Sequence, residues 1–258
     1  MAPRIIVYYQ TFNGIKEILD RPKNNNITHI HLSSIHFGKD EKNIGYIHLN
    51  NNSPYDKIFD SVWDDMEKAN ELGIKIILMI GGAGGAYTEL FTNFEYYYGL
   101  LYTLIKNKVM IKGVDLDIEE TVDLKNVKKL INRIKVDFGE DFIISLAPIQ
   151  SSLEYDYQGM GGFIYKDLLN SPEGKLIDYF NGQFYSDYSL YAYDKVVNNK
   201  YKPENIVMGM LGNTKDIMDS NFKQVSDIYK KYGDTFGGVF LWEYYLYPEF
   251  VEDSLAVL

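Results

Sequence analysis

Hydrophobic and polar positions follow two rhythms along this chain. Short, nearly continuous apolar runs rich in β-branched residues alternate with longer stretches whose apolar residues recur every three or four positions. The runs predict eight strands, at Arg4–Tyr9, Thr28–Ser33, Ile74–Ile80, Ile111–Glu119, Phe142–Pro148, Asp178–Tyr185, Asn205–Leu211 and Gly237–Trp242. Such continuous apolarity is what a strand covered on both faces shows. Between them, Phe59, Val62, Trp63, Met66 and Ala69 mark a helix over Asp56–Gly73, with Gly73 placed to cap it. Val127, Leu130, Ile131, Ile134 and Phe138 mark another over Thr121–Phe138. A weaker stripe covers Asp216–Tyr232, and a short helix is expected near Gly14–Asp20.

Eight β-to-α alternations without a Pro- or Ser-rich linker predict an α/β fold, a single-domain (β/α)8 TIM barrel over residues 1–258. A doubly wound open sheet is the alternative. No GxGxxG follows a strand, and Gly81–Gly85 lacks a P-loop lysine, so neither nucleotide motif is present.

Charge then narrows the partners. Lys plus Arg number 26 against 36 Asp plus Glu, a formal net charge of −10. Phosphate backbones and anionic lipid would be repelled, so neither nucleic acid nor membrane is the expected partner, whereas a neutral ligand is not disfavoured. The longest apolar stretches are too short to span a bilayer. With no cysteine, disulfides, thiolate metal sites and cysteine nucleophiles are excluded. The opening MAPRIIVYYQ enters a strand at once and shows no signal-peptide pattern, so the expectation is an intracellular protein or one whose signal has been removed. Tyrosine, at 23 residues, fits an aromatic core or a cleft that stacks sugar rings, and composition alone favours the core.

The segment Ile111–Glu120 changes the picture most. Asp115, Asp117 and Glu119 occupy alternate positions of an apolar strand and so share one face, the barrel interior, while Val114, Leu116 and Ile118 face the helices. Carboxylates spaced roughly 7 Å apart in a low-dielectric interior cannot all ionise and titrate as a coupled set. The plain alternative is an acid ladder satisfied by buried hydrogen bonds or a cation. Perturbed carboxylates concentrate at functional sites, which favours chemistry. Glu119 is expected to close the strand at its C-terminal end, where TIM-barrel active sites form. A protonated carboxyl there can donate to a leaving group, as glycoside cleavage requires.

The DxDxE pattern of Asp115, Asp117 and Glu119 resembles the signature of glycoside hydrolase family 18, and within it the chain is most similar to the hevamine-like, class III chitinases. Ile77–Gly82 resembles the family's third strand, Ser145–Pro148 its fifth, the Gln183-Phe184-Tyr185 triplet its sixth and Gly237–Trp242 its eighth; first-strand Tyr8 also matches. The resemblance implies hydrolysis of β-1,4-linked N-acetylglucosamine polymers in which the sugar's own 2-acetamido oxygen attacks the anomeric carbon. Glu119 would be acid and then base. Asp117 would hold the acetamido N–H and stabilise the charged intermediate, and Asp115 would exchange a proton with Asp117. Tyr185 would align the acetamido carbonyl. Trp242 would floor the pocket, with Gln183, Tyr8, Gly81 and Gly82 on the substrate-binding surface. No metal and no cofactor is implied, and a monomer is expected. Retention of anomeric configuration follows, since no second nucleophilic carboxylate is evident at the end of another strand.

Two departures stand out. Lys112 replaces the Asp that usually opens the motif, but its parity puts it off the carboxylate face. Met79 replaces the serine of the family's SxGG, which lies beneath the acids, so proton sharing is expected to differ. His29 and His31 share a face of the second strand, a spacing compatible with a metal, yet no carboxylate partner is near in sequence, and structural roles are expected for both. An endo-β-N-acetylglucosaminidase acting on N-glycans and a catalytically inactive carbohydrate-binding barrel are the alternatives. Retention of Glu119 favours an enzyme, and Tyr185 after Gln183-Phe184 favours the chitinase.

Overall fold

The computed structural model describes residues 2–185 and 187–258. In chain order its strands are β1 Arg4–Tyr9, β2 His29–Lys39, β3 Gly45–Leu49, β4 Lys75–Gly81, β5 Ile111–Asp117, β6 Ile143–Leu146, β7 Tyr179–Gly182, β8 Ile206–Leu211 and β9 Gly238–Trp242. They form one sheet in the order β1-β9-β8-β7-β6-β5-β4-β2-β3, and β1 also pairs with β2. That pairing closes the sheet. All partners are parallel except β2 with β3, so β3 lies outside a closed barrel of the eight others, the (β/α)8 TIM barrel.

Each predicted strand has its counterpart, but the second is corrected. Expected over Thr28–Ser33, it runs on to Lys39 and hairpins with β3. A register irregularity between Leu32 and Ile35 lets it leave the barrel wall. From there Ile35 and Phe37 are buried while His36 and Gly38 are only partly so, the alternation of a strand with one open face. The hairpin rests on an aromatic helix, where Tyr96 and Tyr97 hydroxyls donate to the Gly45 and Gly38 carbonyls at 2.9 and 3.2 Å.

The helices are α1 Lys16–Leu19, α2 Asp60–Glu71, α3 Tyr87–Thr92, α4 Phe94–Asn107, α5 Leu124–Phe138, α6 Gln150–Glu154, α7 Tyr165–Leu169, α8 Leu190–Asn198, α9 Lys215–Tyr232 and α10 Phe250–Val257. In α5, Val127, Leu130, Ile131 and Ile134 are the buried stripe, and the Asp123 side chain accepts the Lys125 N–H at 2.8 Å to start the helix. Helix α2 begins after a 3-10 turn at Lys57–Phe59 that Asp56 caps, which absorbs the start of the predicted Asp56–Gly73 segment.

Two apolar clusters result. The larger joins the outer face of the barrel to the helices. The smaller fills the barrel with Ile6, Tyr8, Ile77, Met79, Ile143, Tyr179, Val207 and Phe240. Buried His29, His31, Asp115, Ser145 and Asn181 share that interior. A barrel packed only with aliphatic layers could not hold an acid; this one supplies polar partners for it.

Candidate active site

Strand β5 ends at Asp117, so Glu119 stands just beyond it instead of closing it as predicted. The reason lies on β4. Gly81 ends that strand opposite Asp117, and the N–H of the next residue, Gly82, donates to the Asp117 carbonyl at 2.9 Å, where the ladder stops. Gly81 has φ +96°, and a Cβ there would fall 2.3 Å from the Asp117 carbonyl oxygen, so only glycine fits. Asp115 is 0% exposed and Asp117 6%, while Glu119 is half-buried at the mouth.

Asp115 is fully partnered. Tyr8 donates to Oδ2 at 2.7 Å, and Ser145 Oγ and Asn181 Nδ2 donate to Oδ1 at 2.6 and 3.0 Å. His31 Nδ1 lies 3.4 Å from Oδ2, off the line of a direct hydrogen bond. Burial pushes this carboxyl up, but His31 and the Ser145 and Tyr8 hydroxyls outweigh it and hold it below the usual carboxylate range. Asp115 is therefore an anion.

Asp117 is pushed the other way. Burial, then the charges of Glu119 and Asp115, raise it well above the usual range, and among the described residues its one side-chain hydrogen bond comes from Gln183 Nε2 at 3.4 Å. Of the two carboxyls it is the one that takes up a proton more readily. Two neighbouring carboxyls with opposite shifts are the arrangement that assigns one acid to charge and the other to proton donation. Among the described residues no hydrogen bond joins the two side chains, and each raises the other's cost of ionising.

Around them stand the other sequence-predicted residues. Gln183 also donates to the Ala147 carbonyl at 2.9 Å, which fixes its amide across the site. Tyr185 lies past the end of β7, half-buried, its ring centroid 6.3 Å from that of Phe240. Burial, then the charges of Asp117 and Glu119, raise its hydroxyl well above the ordinary tyrosine value, so it remains a donor. Trp242 ends β9, partly exposed, 5.3 Å from the Tyr8 ring. Tyr8, expected on the sugar-binding surface, lies beneath it: it is buried and its hydroxyl is engaged by Asp115.

Both departures find a physical account. Lys112 is exposed and donates to the Val109 carbonyl at 3.0 Å, away from the acids. Met79 pairs in register with Asp115, buried beneath the site. On the other side of Asp115, Ser145 lies in register with it and donates its hydroxyl to Oδ1.

His36 was a candidate for the cleft wall from the sequence, but the rest of a belt of residues around one side of the mouth was missed. Glu120 accepts the N–H groups of Ala86, Tyr87 and Thr88 and the Thr88 hydroxyl, capping α3. His36 links the Gly85 carbonyl, 2.8 Å from Nδ1, to Ser34 Oγ, 2.9 Å from Nε2. Gln10 donates to Ser34 at 3.3 Å, and Asn50 donates to the Gln10 carbonyl at 3.1 Å. Glu243 accepts from Thr11 Oγ1 at 2.8 Å and from the Gln10 N–H at 3.3 Å. The belt runs from the residue after Glu119 to the residue after Trp242. It walls a cleft of about 370 Å3 lined by Gln10, Ser34, His36, Asn50, Gly82 and Trp242. Glu243 is a carboxylate at a strand end, which the sequence reading did not register, and its oxygens are occupied by this loop. His31 likewise has a carboxylate partner, brought from β5 by the barrel. Strand parity was the available signal: Gln10 lies two residues from Tyr8, and Asn181 two from Gln183. Among the described residues no group of three or more His, Asp or Glu is spaced to hold a metal ion.

No protein-family model and no curated protein matches this sequence. Solved structures do. A xylanase-alpha-amylase inhibitor protein, 18% identical over 99% of each chain with a TM-score of 0.67, shares the fold. A chitinase from Aspergillus fumigatus is 28% identical over 94% of this chain and 92% of its own, with a TM-score of 0.83. A fungal endo-β-N-acetylglucosaminidase of glycosyl hydrolase family 18 is 31% identical over 99% of this chain and 98% of its own, with a TM-score of 0.87. With that identity over almost its whole length, and with the acid strand in place at the barrel mouth, this chain belongs to glycoside hydrolase family 18.

Proposed function

We propose that this protein is a retaining, substrate-assisted glycosidase of the hevamine-like type that cleaves the β-1,4 bond between N-acetylglucosamine units in chitin or chitooligosaccharides. The observation that carries the reading is the unequal pair beneath Glu119: Asp115 holds three side-chain donors that keep its carboxyl low, and Asp117, short of donors and beside two other acids, is pushed up. The Asp117 carboxyl can accept an acetamido N–H on one oxygen and, as its proton passes to the Asp115 carboxylate, oppose the positive charge that develops on the sugar. Glu119, at the open mouth, protonates the leaving oxygen and then takes a proton from water. Tyr185 donates to the acetamido carbonyl and holds its oxygen toward the anomeric carbon, a proximity effect. Trp242 offers its face to the ring.

If Tyr185 has this role, Tyr185→Phe lowers kcat far more than it raises KM. The ring and its packing remain, and only a hydrogen bond that strengthens as the oxygen attacks is lost. A charge-assisted bond of about 1.5–3 kcal/mol corresponds to a loss of roughly ten- to hundredfold. Steady-state kinetics on one soluble oligosaccharide, with melting to show the variant folded, check this; an unchanged kcat would make Tyr185 a packing residue.

A second reading has its own support in the 31% identity to an endo-β-N-acetylglucosaminidase. N-glycan cores contain the same GlcNAc-β-1,4-GlcNAc bond. Chitotetraose, its fully deacetylated counterpart and an Asn-linked glycan separate the possibilities. The proposal expects cleavage of the first and none of the second. Cleavage of the glycan alone would transfer the activity to the second reading, and equal rates on the deacetylated chain would remove the acetamido nucleophile.

A further inference from the structure

At the end of the barrel opposite the acids, the starts of β1, β2, β4, β6 and β7 surround a cavity of about 580 Å3. This is within the range of small-molecule sites. Its wall is aliphatic, with Ile5, Ile27, Leu72, Ile143 and Leu255. Its charge runs against the rest of the chain, since Arg4, Lys23 and Lys75 all line it. Among the described residues neither lysine forms an ion pair. Asp178, the acidic side chain on the lining, is engaged by Lys135 Nζ at 3.4 Å and the Ile144 N–H at 2.9 Å.

Arg4 is the best-defined group. Its Nη1 donates to the Glu204 and Gly237 carbonyls at 2.8 and 3.3 Å, and its plane lies 4.4 Å over the Tyr179 ring. Among the described residues its Nε and Nη2 make no hydrogen bond, which leaves one edge of the fork free. Lys23 folds across Gly73, where a Cβ would fall 2.5 Å from its Cε. Burial, then the charges of His31, Lys75 and Arg4, hold His29 well below its ordinary value, so it adds a neutral imidazole to the lining.

We propose that this cavity binds a small organic anion, a carboxylate or phosphate monoester on an apolar body. The free edge of Arg4 takes the head group, because a guanidinium fork matches both anions. Lys23 and Lys75 close over it, and the aliphatic wall holds the body. Chemistry in a TIM barrel belongs to the other end, so the ligand stabilises the fold and leaves sugar turnover unchanged.

Calorimetric titration with phenyl phosphate and benzoate tests the site, with inorganic phosphate as head group alone and benzyl alcohol as body alone. The expected result is one-to-one binding of phenyl phosphate, benzoate or both, tighter than either half and weakened by salt. A Lys23→Gln, Lys75→Gln double variant should bind about tenfold more weakly, the effect of two partly exposed charges, with melting and turnover unchanged. Binding by only one of the two compounds assigns the head group. No saturable binding of either overturns the proposal. So does binding unaffected by the double variant, or displacement of the anion by a chitooligosaccharide, which would place it in the catalytic cleft.

Discussion

Glu119→Gln is expected to lower turnover of a chitooligosaccharide by about 10²–10⁴-fold, the range of a general acid, while the sugar still binds. The amide keeps the shape of the side chain and cannot give a proton to the leaving oxygen. Loss of folding does not confound the result, because among the described residues the Glu119 carboxylate accepts no hydrogen bond and stands half-exposed at the mouth. Kinetics together with binding measured on the variant check both parts. Near-normal turnover would remove Glu119 from the chemistry, and lost binding with unchanged turnover at saturation would make it a sugar contact only.

Asp117→Asn carries the second large effect, with two signs. Turnover should fall on the order of 10²–10³-fold, as when a group that opposes transition-state charge is removed. Stability at neutral pH should rise. The Asp117 carboxyl is raised above its unfolded value, so it favours the fold at low pH and that contribution is lost as pH climbs toward its folded value. The neutral amide removes this penalty. The gain in melting temperature should be about 2–4 °C, what roughly 1 kcal/mol gives in a domain of this size. It should vanish below about pH 3.5, where the aspartate is protonated in both folded and unfolded chains. Asp115 has the opposite linkage: depressed in the fold, it stabilises above the ordinary carboxylate range and loses that contribution as pH falls through its folded value. Calorimetry of wild type and Asp117→Asn across pH checks the sign, and a variant less stable at pH 7 would contradict it.

The strands and the acid face were legible because they rest on local, periodic rules. A run such as Ile111–Asp117 states both its burial and its parity in its own residues. Helix α4 was not, since Phe94-Glu95-Tyr96-Tyr97-Tyr98 places aromatic residues on every face and blurs the period. The hairpin of β2 and β3 hides because the strand changes environment midway, from a wall covered on both sides to one with an open face. In the site, the acids and Tyr185 could be read from motif order. The partners that set their protonation could not. Ser145, Asn181 and His31 reach Asp115 from β6, β7 and β2, and only closure of the barrel brings them together. Glu120 and Glu243 resemble ordinary loop acids in sequence, and their role appears only in the N–H groups that they accept.

The central claim is that the nucleophile belongs to the substrate and that Glu119 acts on both sides of the reaction. Time-resolved NMR of the fresh reducing end released from chitotetraose tests it directly. Two inversions at one carbon, first by the acetamido oxygen and then by water, leave a β-anomer as the first product, before mutarotation. A first-formed α-anomer would contradict the account, because it requires a single displacement by water.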